Sequence, residues 1–157
     1  MNKSLPGNLP KHDIKDITLA ETGALRAEGA SREMPVLKSI KARFLKEKPL
    51  NGKKIACCLH ITSETANLAE TLIEGGAEVF MCASNPLATQ DDIAAYLVSQ
   101  GISVYAIKGE LENVYDDHLE AVLEEKPHLT IDDGADLVAK LHSSDHVGVE
   151  NMIGSME

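Results

Sequence analysis

The spacing of apolar residues predicts helices in the first third of the 157-residue chain. Apolar residues recur at near-helical spacing, separated by lysine and arginine, at Met34, Leu37, Ile40 and Phe44. This pattern predicts a helix over 33–47, with Pro35 in the first turn, where proline is tolerated. Residues 13–30 predict an earlier helix, weakened by Gly23 and Gly29.

From residue 53 the pattern changes to short apolar runs that alternate with amphipathic segments. The runs predict strands at 54–59, 77–82, 103–107 and 128–131. The segments predict helices at 63–74, 90–100, 111–123 and 135–141. Four strand–helix repeats predict an α/β fold: a parallel, Rossmann-like sheet with helices on both faces, preceded by N-terminal helices.

Polar side chains follow each of the four predicted strands. The groups are 60–65, 84–91, 108–110 and 132–136. Parallel strands bring their carboxyl ends to one edge of the sheet, where ligands bind in such folds. Taken alone, these residues predict only a site for a polar small molecule.

Each of these groups also has a purely structural interpretation. Thr62 or Ser63 could cap a helix, with a glutamate completing a capping box. The acidic residues of 89–92 could likewise serve a helix N-terminus, and 132–134 has the composition of a turn. His60 alone could be a core histidine.

Composition narrows the classes of function. A net charge of −10 argues against a nucleic-acid partner and indicates a solubilising surface or some halophilic character. No apolar stretch reaches the roughly 18 residues of a membrane span, and the N-terminus lacks the apolar core of a secretory signal. The length fits one domain, and we expect residues 1–12 to be disordered.

Cysteines, histidines and glycines give no further site. Cys57, Cys58 and Cys82 are expected to be buried free thiols in a reducing cytosol. His142 and His146 have helical metal-ligand spacing, but serines and an aspartate separate them and no third ligand is evident. The chain contains no GxGxxG, GxxxxGK[ST] or GxSxG motif.

The polar strand ends carry a specific resemblance. LHxTxET at 59–65, SNPLxTQDD at 84–92 and DDGxDL at 132–137 are together similar to S-adenosylhomocysteine hydrolases, especially the archaeal and bacterial type. The similarity runs from about residue 34 to about residue 142. Those enzymes combine a substrate domain, an NAD domain and a C-terminal tail. The resemblance therefore implies that 13–157 is part of a substrate-binding domain, an N-terminal fragment with the NAD-binding domain absent.

The resemblance also implies a reaction. Bound NAD oxidises the nucleoside 3′-hydroxyl, homocysteine leaves by elimination, water adds, and the ketone is reduced to give adenosine. The implied catalytic residues are Asp133, on the ribose side, and His60, near the 5′ position. Thr62 and Glu64 would contact the purine. Asn85 and Gln90 complete the substrate-binding set as supporting residues.

Further expectations rest on the same resemblance. It implies a cytoplasmic, homotetrameric enzyme of the methyl cycle in one-carbon metabolism, acting on adenosine or inosine forms of the substrate. The family often has glycine where this chain has Ala135, a mild change. The chain alone is expected to be inactive. Three hypotheses stay open: a fragment of an intact hydrolase, a non-catalytic nucleoside-binding remnant, or a half-enzyme that needs a separate NAD-domain subunit.

Overall fold

A six-stranded parallel sheet forms the centre of the computed structural model, which describes residues 9–143 and 149–157. The strands are β1 (Asp13–Ile14), β2 (Lys54–Leu59), β3 (Glu78–Ala83), β4 (Ser103–Ala106), β5 (Leu129–Asp132) and β6 (Gly154–Met156). The helices are α1 (Ala20–Ser31), α2 (Pro35–Glu47), α3 (Ser63–Glu74), α4 (Asp91–Ser99), α5 (Glu112–Leu123) and α6 (Asp136–Ser143). Short 3-10 turns cover Ile17–Leu19 and Val149–Asn151. The predicted α/β class is confirmed.

Helices cover both faces of the sheet, so its strands are apolar on both sides. In β2, Ile55 and Cys57 face a core that includes α1, α3 and α4, whereas Ala56 and Cys58 face a core that includes α5 and α6. This double burial explains why β2 has a continuous apolar run and no alternation with polar residues. Among the described residues, no helix is long and apolar enough to cross a membrane.

The predicted elements match the observed ones most closely in the centre of the sheet. The strand at 54–59 and the helix at 63–74 are confirmed to the residue, and the later boundaries differ by one or two. The helix over 13–30 is wrong in its first third, because residues 13–14 pair with β4 and Asp16 caps a 3-10 turn through Thr18 N, 2.9 Å away. Both edge strands were missed. Residues 1–8, most of the segment expected to be disordered, lie outside the described residues.

The strand order places a crevice at the middle of the sheet. The order is β1-β4-β3-β2-β5-β6, so the chain proceeds from β2 to β3 and β4 on one side and then returns to β5 on the other. The direction of winding therefore reverses between β2 and β5. In open parallel sheets, ligands bind beyond the carboxyl ends of the strands at such a reversal. Here the residues at that point are His60 and Asp133.

Candidate functional site

His60 and Asp133 meet at the reversal point. His60 Nδ1 lies 2.9 Å from Asp133 Oδ2, and both side chains are more than half exposed. Ser84, which follows β3, places its Oγ 3.1 Å from the same ring nitrogen and 3.5 Å from the same carboxylate oxygen. The carboxyl ends of three adjacent strands thus supply an imidazole, a carboxylate and a hydroxyl to one cluster.

Asp133 is carried on a tight loop that is fixed by backbone contacts. Its N–H donates to the carbonyl of Cys58 in β2, 2.9 Å away, which continues the pairing of β5 with β2 past the last strand residue. Gly134 and Ala135 follow with φ of 102° and 62°. The left-handed backbone at Ala135 is a conformation that favours glycine, so the methyl group destabilises the loop and the change is not as mild as expected.

Asp132 lies directly behind this loop and is buried. Its Oδ2 accepts from Val138 N, 3.0 Å away, which ties the first turn of α6 to the end of β5. Burial raises the pKa of the Asp132 carboxyl. The other oxygen has no hydrogen-bond partner among the described residues. Asp132 is therefore a structural anchor beneath Asp133.

Thr62 and Glu64 begin helix α3 beside His60. Thr62 Oγ1 accepts from Thr65 N at 3.4 Å, so the capping interpretation of Thr62 is confirmed. The pKa of Glu64 is lowered by its own backbone N–H at the helix start and by the hydroxyls of Thr62 and Ser63. The site edge therefore presents an ionised carboxylate that can accept hydrogen bonds.

Asn85 and Gln90 occupy the connection between β3 and α4. Asn85 Oδ1 accepts from Leu87 N at 3.0 Å and shapes the turn. Gln90 Oε1 accepts from Arg26 Nη2 at 2.8 Å, and Arg26 also pairs with Asp92 at 2.9 Å. Helix α1 thus holds the end of this loop in place. Both side chains stabilise the loop, and their expected role toward substrate stays a prediction.

The polar residues after β4, at 108–110, contact two different parts of the structure. Lys108 N donates to Asp91 Oδ1 at 2.9 Å, which joins this segment to the start of α4. Glu110, however, turns away from the site, and its buried carboxylate lies 3.0 Å from His118 Nδ1. His118 also contacts Asp13 on β1 at 3.1 Å. The expectation that all four groups serve one site is therefore wrong for Glu110.

An open groove of about 530 Å³ extends from Ser84 toward helix α5. Its lining includes Asn85, Tyr115 and Asp136, and Tyr115 Oη donates to Asp136 Oδ2 at 2.6 Å. Sequence reasoning did not single out Ser84 or Tyr115. Ser84 lay within a strand-end group, and only the order of the strands puts it next to His60.

A dinucleotide does not fit the described residues. A pyrophosphate needs a glycine-rich turn with free N–H groups at a helix start. The turn from β2 into α3 has no glycine, and the Thr62 side chain already caps that helix. Every helix that follows one of β2 to β5 carries an acidic residue in its first turn: Glu64, Asp91, Asp92, Glu112 and Asp136. Those carboxylates would repel phosphate.

The remaining candidates from the sequence are the three cysteines and a metal site. Cys57, Cys58 and Cys82 are buried and free, as predicted. Within residues 9–143 and 149–157, no group of three histidine, cysteine or acidic side chains is arranged to hold a metal ion. His146 of the histidine pair lies outside the described residues.

Comparisons with known proteins agree with the motifs at this edge. The family model described as S-adenosyl-L-homocysteine hydrolase matches residues 11–156. Proteins named adenosylhomocysteinase are 56% identical over 92% of this chain in Aquifex aeolicus, 51% over 94% in Gloeothece citriformis and 50% over 83% in Sulfolobus acidocaldarius. The matches cover 35%, 34% and 32% of those proteins, so the chain spans about a third of their length. The chain belongs to the S-adenosyl-L-homocysteine hydrolase family.

Proposed function

We propose that this chain forms the nucleoside-binding part of an adenosylhomocysteinase, which hydrolyses S-adenosyl-L-homocysteine to homocysteine and adenosine. The observation that carries the proposal is the 2.9 Å contact between His60 and Asp133 at the reversal point of the sheet. Family membership supplies the substrate class. In the proposal the protein works in the cytoplasm as a homo-oligomer, and three buried free thiols suit that reducing compartment.

The proposed roles follow from the chemistry of the side chains. Asp133 accepts hydrogen bonds from ribose hydroxyls, since its exposed carboxylate faces the crevice mouth. His60 moves a proton at the 5′ side, because an imidazole nitrogen can both accept and donate a proton. Thr62 and Glu64 contact the purine. The Glu64 carboxylate can accept from the amino group of adenine or from N1–H of hypoxanthine, so both nucleosides are candidates.

NAD enters the proposal only as a group bound outside the described residues. The family resemblance implies NAD, whereas the turns at this sheet edge carry carboxylates, and none of them has the glycine-rich motif that cradles a pyrophosphate. The described residues therefore bind the nucleoside and handle its protons. We expect the 157-residue chain on its own to bind nucleoside without hydrolysing the thioether.

Calorimetric titration of the purified chain with adenosine and inosine tests the binding proposal. Asp133→Asn should weaken binding about 10- to 100-fold, because a charge-assisted hydrogen bond contributes about 1.5–3 kcal/mol. Asp117→Asn is the matched control: Asp117 is exposed on α5 and does not line the groove beside Ser84, so its change should leave affinity unchanged. Equal affinity in all three proteins, or no binding of either nucleoside, would contradict the proposal.

A half-enzyme that needs a separate NAD-domain subunit is the second candidate, and it accounts equally for the poor fit of a dinucleotide to the described residues. Its test is hydrolysis of S-adenosylhomocysteine by the chain alone and after mixing with the remaining segment of the Aquifex aeolicus relative and NAD. Activity only in the mixture supports a half-enzyme. Nucleoside binding without activity in either case supports a non-catalytic binder, and hydrolysis by the chain alone contradicts the assignment of NAD to other residues.

A further inference from the structure

The His60–Asp133 pair is exposed, and exposed pairs rarely hold one geometry without a third contact. Ser84 supplies that contact from a rigid position. It is 8% exposed and follows β3 directly, and its N–H donates to the carbonyl of Leu59 in β2 at 3.2 Å. Its hydroxyl touches both members of the pair.

The contacts around His60 Nδ1 determine where the ring proton lies. An ionised carboxylate can only accept a hydrogen bond, so a 2.9 Å contact with Asp133 Oδ2 requires a proton on Nδ1. Ser84 Oγ, 3.1 Å from Nδ1, can then accept a share of that hydrogen bond while its own proton points to Asp133, 3.5 Å away. The Asp133 contact favours the Nδ1–H tautomer over the Nε2–H tautomer, and a Ser84 hydroxyl that donates to Asp133 is left to accept from that same N–H.

We propose that Ser84 is a positioning residue that holds His60 as the Nδ1–H tautomer and leaves Nε2 unprotonated for the ligand. A proton that Nε2 takes from water or a substrate hydroxyl makes the ring an imidazolium beside the Asp133 carboxylate, and the same proton can return to a leaving thiolate. The role toward substrate rests on the proposed function. The tautomer itself is a property of the free chain.

Nitrogen-15 NMR of the neutral histidine side chains measures the tautomer directly. We expect Nδ1–H to predominate in the wild-type chain. Ser84→Ala should lower the ratio of Nδ1–H to Nε2–H about fivefold, the effect of one hydrogen bond worth about 1 kcal/mol. Ser103→Ala makes the same chemical change at 9% exposure on β4 and should leave the ratio unchanged.

Each outcome decides the proposal. An Nε2–H ring in the wild type, or an unchanged ratio in Ser84→Ala, overturns it, since a merely structural serine would not move the tautomer. Should Ser84→Ala fail to fold, Ser84→Cys keeps the shape with a weaker donor and should shift the ratio in the same direction by less. Nucleoside titration separates the two proposals. If Ser84→Ala changes the tautomer ratio but the chain does not bind adenosine, the proposed function is contradicted and the positioning role of Ser84 is supported.

Discussion

Two glycines in helix α1 should respond in opposite ways to the same substitution. Alanine is favoured over glycine inside a helix by about 1 kcal/mol, so both changes would stabilise an isolated helix. At Gly29 a methyl group meets nothing within 4 Å. At Gly23 it would lie 2.0 Å from the carbonyl oxygen of Asp92 and 2.8 Å from Tyr96 Cβ.

The magnitudes follow from those distances. Gly29→Ala should raise the free energy of unfolding by about 1 kcal/mol. Gly23→Ala meets backbone of α4 that cannot rotate aside, so we take the upper end of the overpacking range, about 3 kcal/mol, less the helix gain of about 1. The net loss is about 2 kcal/mol. The displaced residue, Asp92, pairs with Arg26, which also holds Gln90, so the site loop should move as well.

Urea unfolding followed by circular dichroism measures both effects. With a slope of about 2 kcal/mol per molar, the midpoint should fall by about 1 M for Gly23→Ala and rise by about 0.5 M for Gly29→Ala. Adenosine affinity should fall only in Gly23→Ala. A Gly23→Ala chain as stable as the wild type would refute the close packing of α1 on α4.

Three further predictions test other parts of the structure. Burial alone would lower the pKa of His118, but the carboxylates of Glu110 and Asp13 outweigh burial and raise that pKa. The stability that the charged His118 contributes is therefore complete below the unfolded pKa of about 6.5 and is lost as the pH rises through the folded pKa. The free energy of unfolding in urea should be lower at pH 9 than at pH 6, and His118→Gln should flatten this dependence. Ala135→Gly should raise the free energy of unfolding by about 0.5–1 kcal/mol, because the strain that a left-handed alanine loses exceeds the entropy that glycine adds to the unfolded chain. A lower thermal midpoint in Ala135→Gly would contradict this prediction. Burial raises the pKa of Cys57 to about 12, so a disulfide reagent should label the cysteines only after unfolding, and rapid labelling of the native chain would contradict the buried sheet.

The sequence predicted the central elements because their signals are local. In β2 the apolar run is bounded by a turn before it and by His60 after it, and in α3 a capping threonine and a glycine pair mark the two ends. The edge strands could not be predicted in this way. Asp13–Ile14 and Gly154–Met156 have two and three residues and no apolar pattern, so only pairing with a longer neighbour makes them strands.

The site was predictable in its residue types and only partly in its geometry. His60 and Asp133 stood at strand ends, and a shared edge follows from parallel strands. Their contact, and that of Ser84, depends on β3, β2 and β5 being neighbours in this order, which no local pattern encodes. Glu110 shows the converse: it follows a strand as Asp133 does, yet its carboxylate contacts the buried His118 on α5 and not the site.

Amide NMR of the labelled chain during adenosine titration tests the central claim most directly. If the reversal point of the sheet binds nucleoside, the largest saturable shifts should lie in 60–65, 84–91 and 132–136, and in Asp133→Asn they should need about 10- to 100-fold more adenosine to reach half their size. A second cavity of about 210 Å³ lies between α1, α2 and α3, lined in part by Leu37, Lys41 and Glu70. Shifts centred on that cavity, or none at saturating adenosine, would contradict the account.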